Sequence, residues 1–194
     1  MSVLPALLAL PILMAGLHPT LAGEGLTLSF GAYESSPVVL THFAIEEPLA
    51  ETQTVIVSGK ADRAMPRTSG SNALSLPEDA GRDGKWRISA QWVELMTDRA
   101  WRGEISVPVS QLTRAYDAYE LNVIFGPNGL LLIGSDRIGN QPGDRIDVAM
   151  DCAERIRAAD HAWRRETGIF PELPALLDQL RPTPVGTDCA DPGH

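Results

Sequence analysis

Glu94 is the acidic residue whose position in the sequence most suggests chemistry. It lies between Trp92 and Met96 on the apolar face of a segment that alternates apolar and polar side chains. A carboxylate on such a face must be paired, hydrogen-bonded or neutral, and Arg102 or Arg114 is its candidate partner. Three interpretations are open. The strand twists so that Glu94 reaches solvent, Glu94 forms a buried structural pair, or Glu94 acts in catalysis or ligand binding.

Three tryptophans surround this position in the sequence. Trp86 and Trp92 share the apolar face of one predicted strand, and Trp101 lies on the next. They form either a core cluster or an exposed platform that stacks on a sugar or a partner protein, because aromatic rings supply a large contact area at low entropic cost. Together with Glu94 and Arg102, they make up the candidate binding residues.

The sequence carries no common catalytic signature. It lacks the Gly-x-Ser-x-Gly nucleophile elbow, the phosphate-binding loop, Gly-x-Gly-x-x-Gly and His-Glu-x-x-His. His42 and His161 lie far apart and are interpreted as ordinary strand and surface residues. We therefore predict no catalytic residue, no metal and no cofactor. The enzyme alternative that remains is an envelope hydrolase or carbohydrate-active enzyme that pairs Glu94 with Glu104 or Asp98.

A calcium site is the one metal site that the spacing of acidic and amide residues allows. Asp136, Asn140 and Asp144 recur every four residues in a glycine-rich turn and offer the oxygen ligands that calcium takes. The spacing matches no EF-hand, and turns commonly use these residues for local hydrogen bonds. We favour the turn.

The two cysteines predict a disulfide. Cys152 and Cys189 are the only cysteines in the chain, and a small even number is typical of exported proteins. The bond would hold a proline-rich C-terminal tail that packs poorly by itself. Free thiols or a reactive cysteine are the alternatives.

The first 22 residues predict an export signal. They are apolar, are interrupted by prolines and end in small residues before the expected cleavage site after Ala22. Glu24 stands where a lipoprotein would carry its lipid-bearing cysteine, so no stable lipid anchor is expected. The chain of 194 residues then leaves a single domain at residues 23–194, which we place in the periplasm or outside the cell.

The net charge excludes one class of partner. A formal charge of −9 argues against a nucleic-acid binder, because phosphate contacts need clustered basic side chains.

Short alternating segments predict a mainly β fold. Strands are expected around residues 26–30, 37–45, 54–57, 86–96, 101–107, 121–125, 130–133 and 145–150. Hairpins join 86–96 to 101–107 and 121–125 to 130–133, a long loop occupies 59–85, and a helical turn is expected over 109–116. In the last part, residues 152–180, helical spacing predicts a helix at 152–167, ended by Gly168, and a short second helix at 174–180. The predicted architecture is an antiparallel β-sandwich or curved sheet of about seven or eight strands with C-terminal helices.

The order of elements over residues 76–152 resembles a known family. A tryptophan-bearing strand at 85–92, a second aromatic strand ending at Val107 and Pro108, a hairpin at 123–129 and an apolar strand follow one another. This order resembles the bacterial family catalogued as domain of unknown function 2931. The resemblance implies a small exported protein, usually a lipoprotein, although this chain lacks the lipid-bearing cysteine. The family brings no catalytic residues to carry over.

These observations predict a non-catalytic binding protein of the bacterial envelope. Its partner would be an envelope protein or a toxin, and the latter would give the chain an immunity role. An acidic surface suits a basic toxin, because complementary charge speeds association.

Overall fold

The computed structural model describes residues 25–46, 54–59, 61, 72–75, 81–115, 117–136, 145–160, 171, 173–179 and 187–191. Within these ranges the chain forms two β-sheets, one of six strands and one of five. The mainly β class predicted from alternation is thereby confirmed. The described part of the chain contains no helix long and apolar enough to cross a membrane.

Eleven strands lie within the described ranges. They are β1 (Gly25–Ala32), β2 (Val38–Ile45), β3 (Val55–Val57), β4 (Asn72–Ser75), β5 (Lys85–Glu94), β6 (Ala100–Pro108), β7 (Arg114–Ala115), β8 (Ala118–Gly126), β9 (Leu130–Asp136), β10 (Arg145–Cys152) and β11 (Glu154–Arg155). The six-stranded sheet has the order β10-β9-β8-β1-β4, with β7 also paired to β8, and the five-stranded sheet has the order β11-β6-β5-β2-β3.

The core lies between the two sheets. The inward side chains of both sheets form the main apolar cluster. β9 is buried along its whole length, and its outward Leu132 packs with Ile124 in a smaller cluster. Phe30 of β1 meets Phe43 of β2 edge to face at 4.9 Å, and Trp92 of β5 lies 4.9 Å from Phe125 of β8. These aromatic pairs join one sheet to the other.

One pairing departs from the predicted antiparallel arrangement. β1 runs parallel to β8, with Gly25 opposite Ala118 and Ala32 opposite Phe125. The other pairings are antiparallel, among them the β5–β6 and β8–β9 hairpins that the turn signals predicted. The alternation of apolar and polar residues identifies strands, but it does not show in which direction a paired strand far along the sequence runs. The parallel pair was therefore missed.

The prediction of seven or eight strands was wrong because some strands are very short. β4 has four residues, and β7 and β11 have two each, too few for a period to be read. β4 also interrupts the segment predicted as a long loop. Of the helical turn predicted over residues 109–116, only the start is confirmed, by a 3₁₀ turn at Val109–Gln111, because the chain then becomes extended and forms β7.

The prediction of a helix starting at Cys152 was also wrong. Cys152 ends β10, and β11 and a 3₁₀ turn at Arg157–Ala159 follow. Residues 161–167, the remainder of that predicted helix, lie outside the described residues. A short helix, α1 (Leu173–Gln179), lies where the second helix was predicted. Leu173 is fully buried against Val39 and Leu95, so α1 packs on the outer face of the five-stranded sheet.

Candidate functional site

The three tryptophans of the predicted binding set lie in the core. Trp86, Trp92 and Trp101 are 0–2% exposed, and their indole N–H groups find no acceptor among the described residues. Buried rings present no face to a ligand, so these residues form the core cluster and not the stacking platform. Trp92 and Trp101 lie directly opposite each other across β5 and β6.

The predicted arginine partners of Glu94 lie elsewhere. Arg102 is exposed on β6, where it alternates with the core residues Trp101 and Gly103 and therefore lies on the outer face of its sheet. Arg114 lies over the ring of Tyr119, 5.5 Å from its centroid. The prediction that either arginine pairs with Glu94 was therefore wrong.

Glu94 is buried at the end of β5. It is 2% exposed, and both of its carboxylate oxygens accept hydrogen bonds. The backbone N–H of Gly129 donates to Oε1 at 3.0 Å, and the hydroxyl of Thr97 donates to Oε2 at 2.8 Å. The interpretation in which Glu94 reaches solvent was wrong, because the next turn folds back over the carboxylate. Glu94 therefore links the β5–β6 turn to the turn between β8 and β9.

The surroundings of Glu94 disfavour its charge. Removal from water raises the pKa of the Glu94 carboxyl, while the hydrogen bonds from Gly129 and Thr97 and the nearby charges of Arg99 and Arg155 lower it by less. Arg155 itself is bound by the Asp160 carboxylate and lies over the Trp101 ring, 5.5 Å from its centroid. The net upward direction shows that burial dominates.

The C-terminal tail covers the same β8–β9 turn. Cys152 and Cys189 form the predicted disulfide. The side chain of Asn128 donates to the carbonyl oxygen of Cys189 at 3.2 Å, and the hydroxyl of Thr187 donates to the carbonyl oxygen of Pro127 at 3.2 Å. A disulfide of this kind points to an oxidising, extracytoplasmic compartment. Covalent and hydrogen-bonded attachment thus hold the tail on the turn that Glu94 supports.

Glu94 and Glu104, the first carboxylate pair of the enzyme alternative, do not share a cleft. Glu94 lies on the buried side of its sheet, whereas Glu104 is exposed on β6 between the core-facing residues Gly103 and Ile105. The two carboxylates therefore lie on opposite faces of the sheet. Asp98, the other proposed partner of Glu94, lies in the β5–β6 turn next to Thr97 and has a positive φ of 56°.

An open depression lies on the outer face of the five-stranded sheet. Its volume is about 530 Å³, and the side chains that shape it come from β5, β6 and the residue after β2. Arg87 lies opposite Ser106, and Ser89 lies opposite Glu104. The two short serine side chains thus lie on one diagonal and the long side chains of Arg87 and Glu104 on the other, and the open volume lies above the serines. We call this surface the β5–β6 depression: Glu46, Arg87, Ser89, Glu104 and Ser106.

Two carboxylates hold Arg87 on one side of the depression. Its guanidinium lies 3.0 Å from Glu46 and 2.5 Å from Asp83, and its backbone N–H donates to Glu46 at 2.8 Å. The Lys85 backbone N–H and the Arg87 charge lower the pKa of Asp83, and the two carboxylates raise that of Arg87. The sequence analysis did not identify Arg87 and its two carboxylates as a site. The available signal was the polar position of Arg87 in the alternating segment, which places its side chain on the outer face of β5.

The described residues contain no cluster of three histidine, cysteine or acidic side chains that could hold a metal. Of the three residues considered as calcium ligands, only Asp136 is described, and its carboxylate accepts a hydrogen bond from the side chain of Asn122 at 2.9 Å. Asn140 and Asp144 lie outside the described residues. His161 lies outside them too. His42 is half-buried on β2, opposite Gln91.

Comparison of the chain with protein-family models, curated proteins and solved structures finds no match.

Proposed function

We propose that the protein is a non-catalytic binding protein of the bacterial envelope and that the β5–β6 depression is its binding surface. The depression is the observation that carries the proposal. It presents charged and hydroxyl groups from two adjacent hydrogen-bonded strands, and rigid strands position such groups more precisely than loops do. The buried carboxylate of Glu94, by contrast, is occupied by backbone and hydroxyl donors that join two turns.

The proposed location is the periplasm or the extracellular medium. The Cys152–Cys189 disulfide supports an oxidising compartment, and the apolar first 22 residues have the composition of an export signal. The resemblance to domain of unknown function 2931 stays a prediction and agrees with export. The proposed partner is an envelope protein or a toxin, which would make this an immunity-type protein.

Site-directed photo-crosslinking tests the proposal. A photoreactive amino acid replaces Ser106 in the depression, and a matched variant replaces Ser110, which is exposed on the 3₁₀ turn outside it. We expect the Ser106 probe alone to form a defined adduct in envelope extracts, and the purified partner to bind the wild-type protein. Equal labelling by both probes, or turnover of glycan or peptide substrates by the purified protein, would contradict the proposal.

A further inference from the structure

Of the charged side chains that line the β5–β6 depression, Arg87 is paired with carboxylates and Glu104 is not paired with a described residue. The guanidinium of Arg87 is engaged by two carboxylates, Glu46 and Asp83. Glu104 is exposed, and no hydrogen bond or ion pair among the described residues engages its carboxylate. The charge that remains available to a ligand in the depression is therefore negative.

Hydroxyl groups flank that carboxylate. Ser89 lies directly opposite Glu104 on β5, and Ser106 lies two residues further along β6 on the same face. An ammonium or guanidinium group carries several N–H donors and no acceptor, so it binds best where a carboxylate and neutral oxygens converge. Glu104 with the two serines offers this combination.

We propose that the depression binds a lysine or arginine side chain of a partner polypeptide, with Glu104 as the anchoring carboxylate. This inference rests on the proposed function and specifies the chemistry of the partner. The volume of about 530 Å³ leaves room for a long basic side chain and its neighbours. The net charge of −9 would steer a basic partner toward the protein.

The positive charge of Arg102 limits how many basic side chains the depression can bind. Arg102 is exposed two residues before Glu104 on the same face of β6, and its positive charge opposes a second cation at that end of the depression. The partner is therefore expected to place one basic side chain beside Glu104. Removing the Arg102 charge should strengthen binding, which is the opposite of the effect expected for Glu104.

Titration with an acetylated and amidated peptide that carries a single arginine between glycines, at about 150 mM salt to screen long-range attraction, tests the proposal. NMR of the labelled protein should show shifted amide signals in residues 87–89 and 104–106. We expect Glu104→Gln to weaken binding about fivefold, as for an exposed ion pair, and Arg102→Gln to strengthen it. Asp117→Asn is the matched control, because Asp117 is an exposed carboxylate immediately before β8 of the other sheet, and it should leave binding unchanged.

Two outcomes would overturn the inference. Equal weakening by Glu104→Gln and Asp117→Asn would show that only net charge matters, and no binding at millimolar peptide would show that the depression does not accept a basic side chain. Either outcome leaves the proposed function standing if the Ser106 photo-crosslink still captures its partner. Loss of that specific crosslink would instead count against the proposed function itself.

Discussion

Removing the Glu94 carboxylate should destabilise the protein far more than removing an exposed one. In Glu94→Ala the buried N–H of Gly129 loses its acceptor, which costs about 1–3 kcal/mol. The lost methylene contacts add about 0.8 kcal/mol for each group, and relief of the buried charge offsets part of the sum. We expect a net loss of about 2 kcal/mol, or a Tm lower by about 4–8 °C for a chain of this size.

Urea unfolding followed by tryptophan fluorescence measures this loss, because the rings of Trp86, Trp92 and Trp101 are buried in the fold. Glu104→Ala is the matched control, since Glu104 is exposed on the neighbouring strand, and it should change stability by less than about 0.5 kcal/mol. A Glu94→Ala variant as stable as Glu104→Ala would refute the idea that this carboxylate supports the β8–β9 turn.

The pH dependence gives a second readout of the same site. Burial raises the pKa of Glu94 above its ordinary value of 4.5, so the folded protein holds this proton more tightly than the unfolded chain does. The resulting stabilisation is fully present below the ordinary pKa and is lost as pH rises through the raised pKa. Relative to Glu94→Gln, the wild type should therefore gain stability when pH falls from about 7 toward 4. A difference that does not vary with pH would contradict the raised pKa.

Two further perturbations test the same region by urea unfolding. Replacing Cys152 and Cys189 by serine opens a loop with a sequence separation of 37 residues, which should cost about 4 kcal/mol, and an unchanged midpoint would contradict this. Gly129→Ala should cost about 2–4 kcal/mol, because φ is +77° and the new Cβ would lie 2.8–2.9 Å from ring atoms of Trp101. Gly84 has the same φ but nothing within 4 Å, so Gly84→Ala should cost only about 1 kcal/mol. Equal losses in the two alanine variants would refute the packing argument.

Patterns of neighbouring residues predicted the parts of the fold that are formed by residues close together in the sequence. Period-two alternation predicted β5 and β6, and the Pro-Asn-Gly turn signal predicted the β8–β9 hairpin. The helical spacing after Cys152 misled the prediction, because a short strand followed by a 3₁₀ turn also places apolar residues three or four positions apart. β10 ends at Cys152, β11 then pairs with β6 of the other sheet, and the 3₁₀ turn at Arg157–Ala159 follows.

The candidate sites were predictable only in part. The position of Glu94 on an apolar face correctly indicated an unusual carboxylate, but its partners are a backbone N–H and the hydroxyl of Thr97. A backbone donor carries no residue-type signal, so Gly129 could not be named in advance. The β5–β6 depression depends on the register of two strands and on the residue after β2, and single-strand patterns do not contain that register.

The parallel pairing of β1 with β8 has a consequence for the order of folding. Gly25 meets Ala118, a neighbour about 90 residues later in the chain, so closing this contact costs loop entropy before any hydrogen bond is gained. Proteins dominated by such distant pairings fold in about milliseconds to seconds. The pairing of β1 with β8 therefore becomes possible only after the chain as far as Ala118 is available, whereas the β1–β4 pair and the two hairpins join segments that lie closer together in the sequence.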